Sequence, residues 1–137
     1  PLPGLAKRRT LMISPITEVA TRDAAHALLA QGGDVTIIND SPGFVTQRIL
    51  ATIVNIAANI AQRGIASVAD IEDSVRIGLG YPAGPLTIGE GIGGERILTI
   101  LDAMQAQTGD MRYRPSLWLT RRVILGVSLL TPEASRV

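Results

Sequence analysis

The chain has 137 residues, with 13 basic and 12 acidic side chains, which suits a single small domain whose core needs no disulfide or metal staple. The absence of cysteine excludes disulfide scaffolds and thiolate chemistry, and the net charge of +1 argues against a nucleic-acid surface. No uncharged run reaches the length of about 18 residues that a membrane span requires. We therefore expect a cytoplasmic domain with no nucleic-acid or membrane partner. The first residue, Pro1, suggests a fragment or a processed chain.

Residues 1–40 follow a strand–helix–strand pattern. Short strands are predicted at 11–13 and at 35–38, the second of which is rich in β-branched residues. Between them, Thr21 is the predicted N-cap of a helix that runs through Gln31 and ends at two glycines. One α/β crossover of this size cannot bury both of its faces alone.

Residues 41–137 are predicted to be helical. Ser41 and Pro42 suit the N-cap and first position of a long helix through Arg63, which Gly64 ends. Apolar side chains recur on one face of this helix at helical spacing, and they are Val45, Ile49, Ile53, Ile56 and Ile60.

Shorter helices are predicted to follow. Ser67 and Asp70 resemble a capping box, which opens a helix that ends near Gly78. Glycine and proline then dominate residues 78–85, which predicts a rigid turn. Apolar spacing over 97–104 predicts a helix ended by Gly109, and the last helix extends from a Ser116 cap to Gly126.

The segment 89–94 fits the dinucleotide pattern G-x-G-x-x-G. That pattern binds pyrophosphate only where it follows a strand and opens a helix. Here only residues 86–88 precede it, directly after a proline, and Glu90 would place a carboxylate beside two phosphates. We interpret the segment as a loop that leads into a helix.

Candidate catalytic side chains are sparse. His26 is the only histidine, and it lies among alanines and leucines without an orienting carboxylate, so a surface or packed role is favoured. Ser14, Ser41 and Ser116 adjoin prolines and suit turns or caps. The acidic residues show no metal-ligand spacing, and we predict no metal site.

A group of arginines near the C-terminus comprises Arg112, Arg114, Arg121 and Arg122. It could hold an anionic group, although a solvated helix face paired with acidic neighbours is the favoured interpretation. The residues alone leave three classes open: a binding module, an oligomerisation domain and a detached part of an enzyme.

Four motifs in order, at 39–48, 62–72, 78–86 and 109–116, resemble segments of 3-hydroxyacyl-CoA dehydrogenases. The likeness is to the second, C-terminal helical domain of the long bacterial form, which acts on 3-hydroxybutyryl-CoA or 3-hydroxyadipyl-CoA. The resemblance implies a mainly α fold, a helical domain of the 6-phosphogluconate-dehydrogenase C-terminal type at 41–137. A reduced Rossmann-like strand–helix–strand segment is implied at 1–40.

The resemblance also implies a function for the whole protein, the NAD-dependent oxidation of 3-hydroxyacyl-CoA in fatty acid or phenylacetate catabolism. In the family, the histidine–glutamate pair and the NAD loop belong to an N-terminal Rossmann domain. We therefore expect no catalytic, NAD-binding or metal-binding residue in this chain, and no activity from it alone. The alternative is a stand-alone helical interaction module without dehydrogenase activity.

Five residues are implied to face the acyl-CoA substrate. Gln47 stands where the family motif has a substrate-facing asparagine, and its longer side chain would displace that hydrogen bond. Tyr81, Pro82, Gly84 and Pro85 belong to the turn that lies beside the acyl-binding cleft in the family. A tight helix–helix connection without ligand contact is the equal alternative for this turn.

The long helix is apolar on more than one side, which favours burial against a partner. The predicted docking face consists of Ile49, Ile53, Ile56 and Ile60. The implied partner is a homologous helical domain, either within the same polypeptide or in a homodimer. Packing of these residues within the monomer is the alternative.

Overall fold

The computed structural model describes residues 8–134, and the chain divides into two units between Phe44 and Val45. The first seven residues of the predicted segment 1–40 and the last three of 41–137 lie outside the described residues. The mainly α composition with one strand–helix–strand segment is confirmed.

The first unit contains strands β1 (Arg8–Ile13) and β2 (Asp34–Asn39), which pair in parallel, and helix α1 (Val19–Ala30) between them. Both strands start earlier than predicted. No side chain of α1 is fully buried. This agrees with the expectation that a single crossover leaves much of its surface uncovered.

The predicted start of α1 is wrong. Glu18 is extended and occupies the N-cap position, and its carbonyl accepts from the Arg22 amide at 2.9 Å. Thr21 therefore lies inside the first helical turn. His26 lies half-buried on the same helix, and the Ser14 hydroxyl contacts the Thr17 hydroxyl at 3.1 Å in the preceding turn.

All regular secondary structure in the described part of the second unit is helical. Its elements are α2 (Val45–Gln62), α3 (Val68–Asp73) with a π-helical continuation (Ser74–Gly78), α4 (Pro85–Ile92), α5 (Gly94–Thr108), a 3-10 turn (Met111–Tyr113) and α6 (Leu117–Leu125). The predicted caps at Ser67 and Ser116 and the predicted ends at Gly109 and Gly126 are confirmed. No described helix is long and apolar enough to cross a membrane.

The start of α2 differs from the prediction. Gly43 and Phe44 have φ values of 76° and 50°, in the left-handed region, so residues 42–44 form a turn. The Phe44 amide donates to the Ser41 carbonyl at 3.3 Å within this turn. Ser41 and Pro42 therefore do not open the helix, which begins at Val45.

Helix α4 was not expected. Its first residue is Pro85, whose ring suits the first helical position. Gly89 lies inside this helix, where an added Cβ would come within 2.8 Å of the Val54 side chain. Gly94 opens α5, where a Cβ would meet Val123 at 2.6 Å. Gly89 and Gly94 of the G-x-G-x-x-G segment thus permit close helix packing, and the interpretation of 89–92 as a loop is wrong.

The core of the second unit is built on the small residues of α2. Ala51, Ala57, Ala58 and Ala61 are buried with Val54. Small side chains let neighbouring helices approach closely, and α2 contacts α4, α5 and α6. Their large buried side chains complete the core, namely Leu86, Ile97, Leu101 and Leu119.

A polar side chain interrupts this alanine face. Asn55 is 3% exposed, and its amide nitrogen donates to the Arg114 carbonyl at 2.9 Å. Its amide oxygen accepts from the Ser116 backbone N–H at 2.8 Å. Asn55 therefore holds both sides of Pro115 and fixes where α6 begins.

We predict that Asn55→Ala destabilises the fold by about 2 kcal/mol, because the buried Ser116 N–H and the part-buried Arg114 carbonyl both lose their partner. The matched control is Asn59→Ala, whose amide bonds only the Asn55 carbonyl of its own helix, at 3.1 Å. We expect this control to cost less than about 1 kcal/mol. Urea unfolding followed by circular dichroism measures both values, and equal losses would contradict the role given to Asn55.

Candidate functional site

The predicted substrate-facing turn connects the π-helical segment to α4. Gly80 has a φ of 67° and allows the chain to reverse direction. Tyr81 is half-buried and Pro82 is exposed, whereas Gly84 and Pro85 are buried. A ligand outside the turn could therefore touch the side chains of Tyr81 and Pro82 but not that of Pro85.

A carboxylate from α3 fixes the end of this turn. Glu72 accepts from the backbone N–H groups of Leu86 and Thr87 at 2.7 and 3.1 Å, and from the Thr87 hydroxyl at 2.6 Å. The first N–H groups of a helix lack partners within it, and the N-terminal end of a helix attracts negative charge. Glu72 provides the N-terminal end of α4 with both hydrogen-bond acceptors and a negative charge.

Gly84 makes room for this carboxylate. A Cβ at residue 84 would lie 2.1 Å from a carboxylate oxygen of Glu72, which is far inside contact distance. The backbone of Gly84 is otherwise ordinary, with a φ of −68°. A side chain at residue 84 would therefore push the Glu72 carboxylate away from its three donors, and no special dihedral angle calls for glycine here.

Among the described residues, Gln47 takes no part in the hydrogen bonds around the turn. It is exposed in the first turn of α2, and among residues 8–134 its side chain makes no hydrogen bond with the turn. The neighbouring Arg48 is half-buried, with its guanidinium 5.7 Å from the centre of the Tyr113 ring.

The residues of the turn can contact a ligand and hold it in position. Glu72 is already bonded to three donors, so it is poorly placed to take a proton from a substrate. Within the described part of the chain, no group of three or more His, Cys, Asp or Glu side chains could hold a metal ion.

Comparison with known proteins decides the family. The family model described as "3-hydroxyacyl-CoA dehydrogenase, C-terminal domain" matches residues 43–128. The chain belongs to this family. The 3-hydroxyadipyl-CoA dehydrogenase of Escherichia coli K12 is 42% identical over 106 residues, which are 77% of this chain and 22% of that protein.

Two solved structures of 3-hydroxybutyryl-CoA dehydrogenases also match this 3-hydroxyacyl-CoA dehydrogenase domain. The structure from E. coli K12 is 38% identical with a TM-score of 0.73, and the match covers 85% of this chain and 25% of that one. The (S)-3-hydroxybutyryl-CoA dehydrogenase from Ralstonia eutropha is 30% identical with a TM-score of 0.81. That match covers 85% of this chain and 42% of the Ralstonia chain. The chain thus spans less than half the length of each of these relatives. Both the predicted resemblance and the predicted fold class are confirmed.

Two of the four arginines in the arginine group of this dehydrogenase domain form ion pairs. Arg112 binds Asp110 at 2.7 Å and Arg122 binds Glu133 at 3.1 Å, which confirms the expected acidic neighbours for these two. Arg114 and Arg121 are exposed.

Two residues with central roles were missed at the sequence level. Asn55 carried a usable signal, because a polar residue within an apolar helix face is normally hydrogen-bonded when buried. Glu72 carried none, since its partners are distant in sequence and lie in a helix that was itself missed.

We predict that Gly84→Ala destabilises the domain by about 2 kcal/mol, because its Cβ collides with the Glu72 carboxylate. In a Glu72→Ala background the same substitution should cost close to nothing, which a double-mutant cycle measures by thermal unfolding. Gly91→Ala is the control, since Gly91 is helical with no atom near its Cβ position. It should stabilise by about 0.5–1 kcal/mol. Additive losses at 72 and 84 would contradict the steric argument.

Proposed function

We propose that this chain is the second helical domain of a long bacterial 3-hydroxyacyl-CoA dehydrogenase. The observation that carries the proposal is the family match over residues 43–128, together with relatives named for 3-hydroxyadipyl-CoA and 3-hydroxybutyryl-CoA. The whole enzyme would oxidise a 3-hydroxyacyl-CoA to the 3-oxoacyl-CoA with NAD in the cytoplasm. The division into domains at 1–40 and 41–137 belongs to the same proposal.

The role we assign to the chain within that enzyme is to close the substrate cleft and to dock against a homologous helical domain. The Glu72–Gly84 arrangement supports the first role, because it fixes the turn that carries Tyr81 and Pro82. We assign Gln47 a contact with the acyl-CoA. Gly84 and Pro85 would contribute through their backbone or by supporting the turn. NAD would bind to a separate N-terminal domain.

The first functional prediction is that the purified chain does not oxidise 3-hydroxybutyryl-CoA. The reason is chemical: His26, the sole histidine, lies in the first unit and has no carboxylate hydrogen-bonded to it among the described residues. NADH absorbance is followed after mixing chain, NAD and substrate. The full-length (S)-3-hydroxybutyryl-CoA dehydrogenase from Ralstonia eutropha, assayed in parallel on the same substrate, shows whether the assay works. NADH formation by the isolated chain above the buffer rate would contradict the proposal.

The proposed docking face is the isoleucine face of α2. Ile49 and Ile56 are 49% and 55% exposed, and Ile53 is half-buried. Ile60 is half-buried and packs against the core of its own unit, so it contributes least to this face. The alanine face of the same helix already serves the core. Large apolar side chains left at the surface in one row support burial against a second protein surface.

We predict that the isolated chain forms a two-fold dimer through this face, with a mass of twice 14.5 kDa by light scattering at micromolar concentration. Ile56→Asp should shift the mass to that of the monomer without loss of helicity, because Ile56 makes little contact with the core. Ile124→Asp is the matched control, since Ile124 is also exposed but lies on α6. A monomeric wild-type chain would contradict the assignment of this face.

The stand-alone interaction module remains the competing hypothesis. This hypothesis also predicts the dimer, but it does not place the chain in a dehydrogenase. The coding sequence upstream of Pro1 separates the two, because a strand followed by G-x-G-x-x-G and a helix there would favour the enzyme.

A further inference from the structure

A cavity of about 760 Å³ lies between the C-terminal end of α2, helix α6 and the segment that follows α6. It is separate from the turn at 79–84 and from the isoleucine face. Its walls combine apolar and basic side chains, among them Leu117, Leu125, Val127, Arg63, Arg121 and Arg122.

Arg122 is the basic group held most firmly in this cavity. Its side chain is only 11% exposed, and the guanidinium carbon lies 3.6 Å from the centre of the Trp118 ring. One terminal nitrogen donates to the Thr131 carbonyl at 2.6 Å, while the buried Nε has no hydrogen-bond partner among residues 8–134. A cation so far removed from water needs an anionic partner.

That partner is supplied by the segment after α6. One carboxylate oxygen of Glu133 accepts from Arg122 at 3.1 Å and from the Trp118 indole N–H at 2.5 Å. The Glu133 side chain is nevertheless 65% exposed. The exposed Glu133 carboxylate can move into water, but the buried Arg122 would then lack an anionic partner unless another anion takes the same place.

The charge around the cavity is not balanced. Arg63, Arg121 and Arg122 line it, and Glu133 is the one acidic residue among its described lining residues. The apolar wall of Leu117, Leu125 and Val127 offers space beyond the charged groups. This combination suits a ligand with an anionic head and an apolar body.

We propose that the cavity binds an organic anion, a carboxylate or a phosphate monoester joined to an apolar chain, and that Glu133 occupies the anion position until the ligand displaces it. Arg122 and the Trp118 N–H would bind the anionic head in place of Glu133. Arg121 and Arg63 add positive charge at the cavity, and the leucines contact the apolar chain. The inference does not depend on the dehydrogenase activity.

Trp118 is the only tryptophan, so its fluorescence reports directly on this site. The full chain is titrated with octanoate, octyl phosphate and inorganic phosphate. We expect a saturable fluorescence change with at least one of the two alkyl anions, and their ratio of affinities tells a carboxylate site from a phosphate site. Inorganic phosphate should bind more weakly because it cannot contact the apolar wall.

The variants test the proposed competition. Glu133→Gln should bind the preferred alkyl anion about tenfold more tightly, because the internal ligand no longer reduces the fraction of open sites. Arg122→Gln should abolish binding through loss of the charged donor. Arg112→Gln is the matched control, since Arg112 pairs with Asp110 and does not line the cavity, and its affinity should equal that of the wild type.

Isothermal titration calorimetry repeats each measurement without relying on Trp118. If Arg122→Gln does not fold, Arg121→Gln decides instead, because Arg121 is exposed and its loss should weaken binding several-fold with the fold intact. Binding that survives unchanged in the folded arginine variant would overturn the proposal. So would the absence of saturable binding in both the wild type and Glu133→Gln.

Discussion

The hydrogen bonds of Asn55 are the constraint on which the rest of the helical unit depends. This side chain is the one buried polar side chain of α2, and it binds the backbone on both sides of Pro115. Leaving either backbone group unpaired in the core would cost more free energy than a typical hydrogen bond contributes. The register between α2 and the start of α6 is therefore set by two hydrogen bonds, and apolar contacts with the alanines fill the space around them.

The same principle recurs at other connections, because the ends of helices leave backbone groups without partners. Gln62 accepts from the Trp118 amide at 3.0 Å and so supports the start of α6 a second time. Glu72 serves α4, and Glu90 accepts from the Leu129 amide at 3.0 Å, which holds the segment after α6. Long-range side-chain bonds to backbone amides thus fix how the helices of this unit are joined.

The two faces of helix α2 have different roles. The small residues face the core and allow α4 and α5 to approach. Glycine at position 89 suits this approach, because a Cβ there would come within 2.8 Å of Val54 on α2. Ile49 and Ile56 lie exposed on the other side, whereas the half-buried Ile60 packs against the core. The residues with the strongest apolar periodicity are therefore not the ones that build most of the core. Periodicity alone indicates that a face will be buried but not against which surface.

The sequence by itself determined the mainly α class, the strand–helix–strand segment, the family and the helix ends at Gly109 and Gly126, because each rests on local signals or on motifs. It failed at the start of α2, where left-handed Gly43 and Phe44 override a plausible Ser-Pro cap, and at α4, whose first turn is stabilised by Glu72 from a distant helix. Only the tertiary structure decided the roles of Asn55, Glu72 and Gly84, because the role of each comes from a partner far away in the chain.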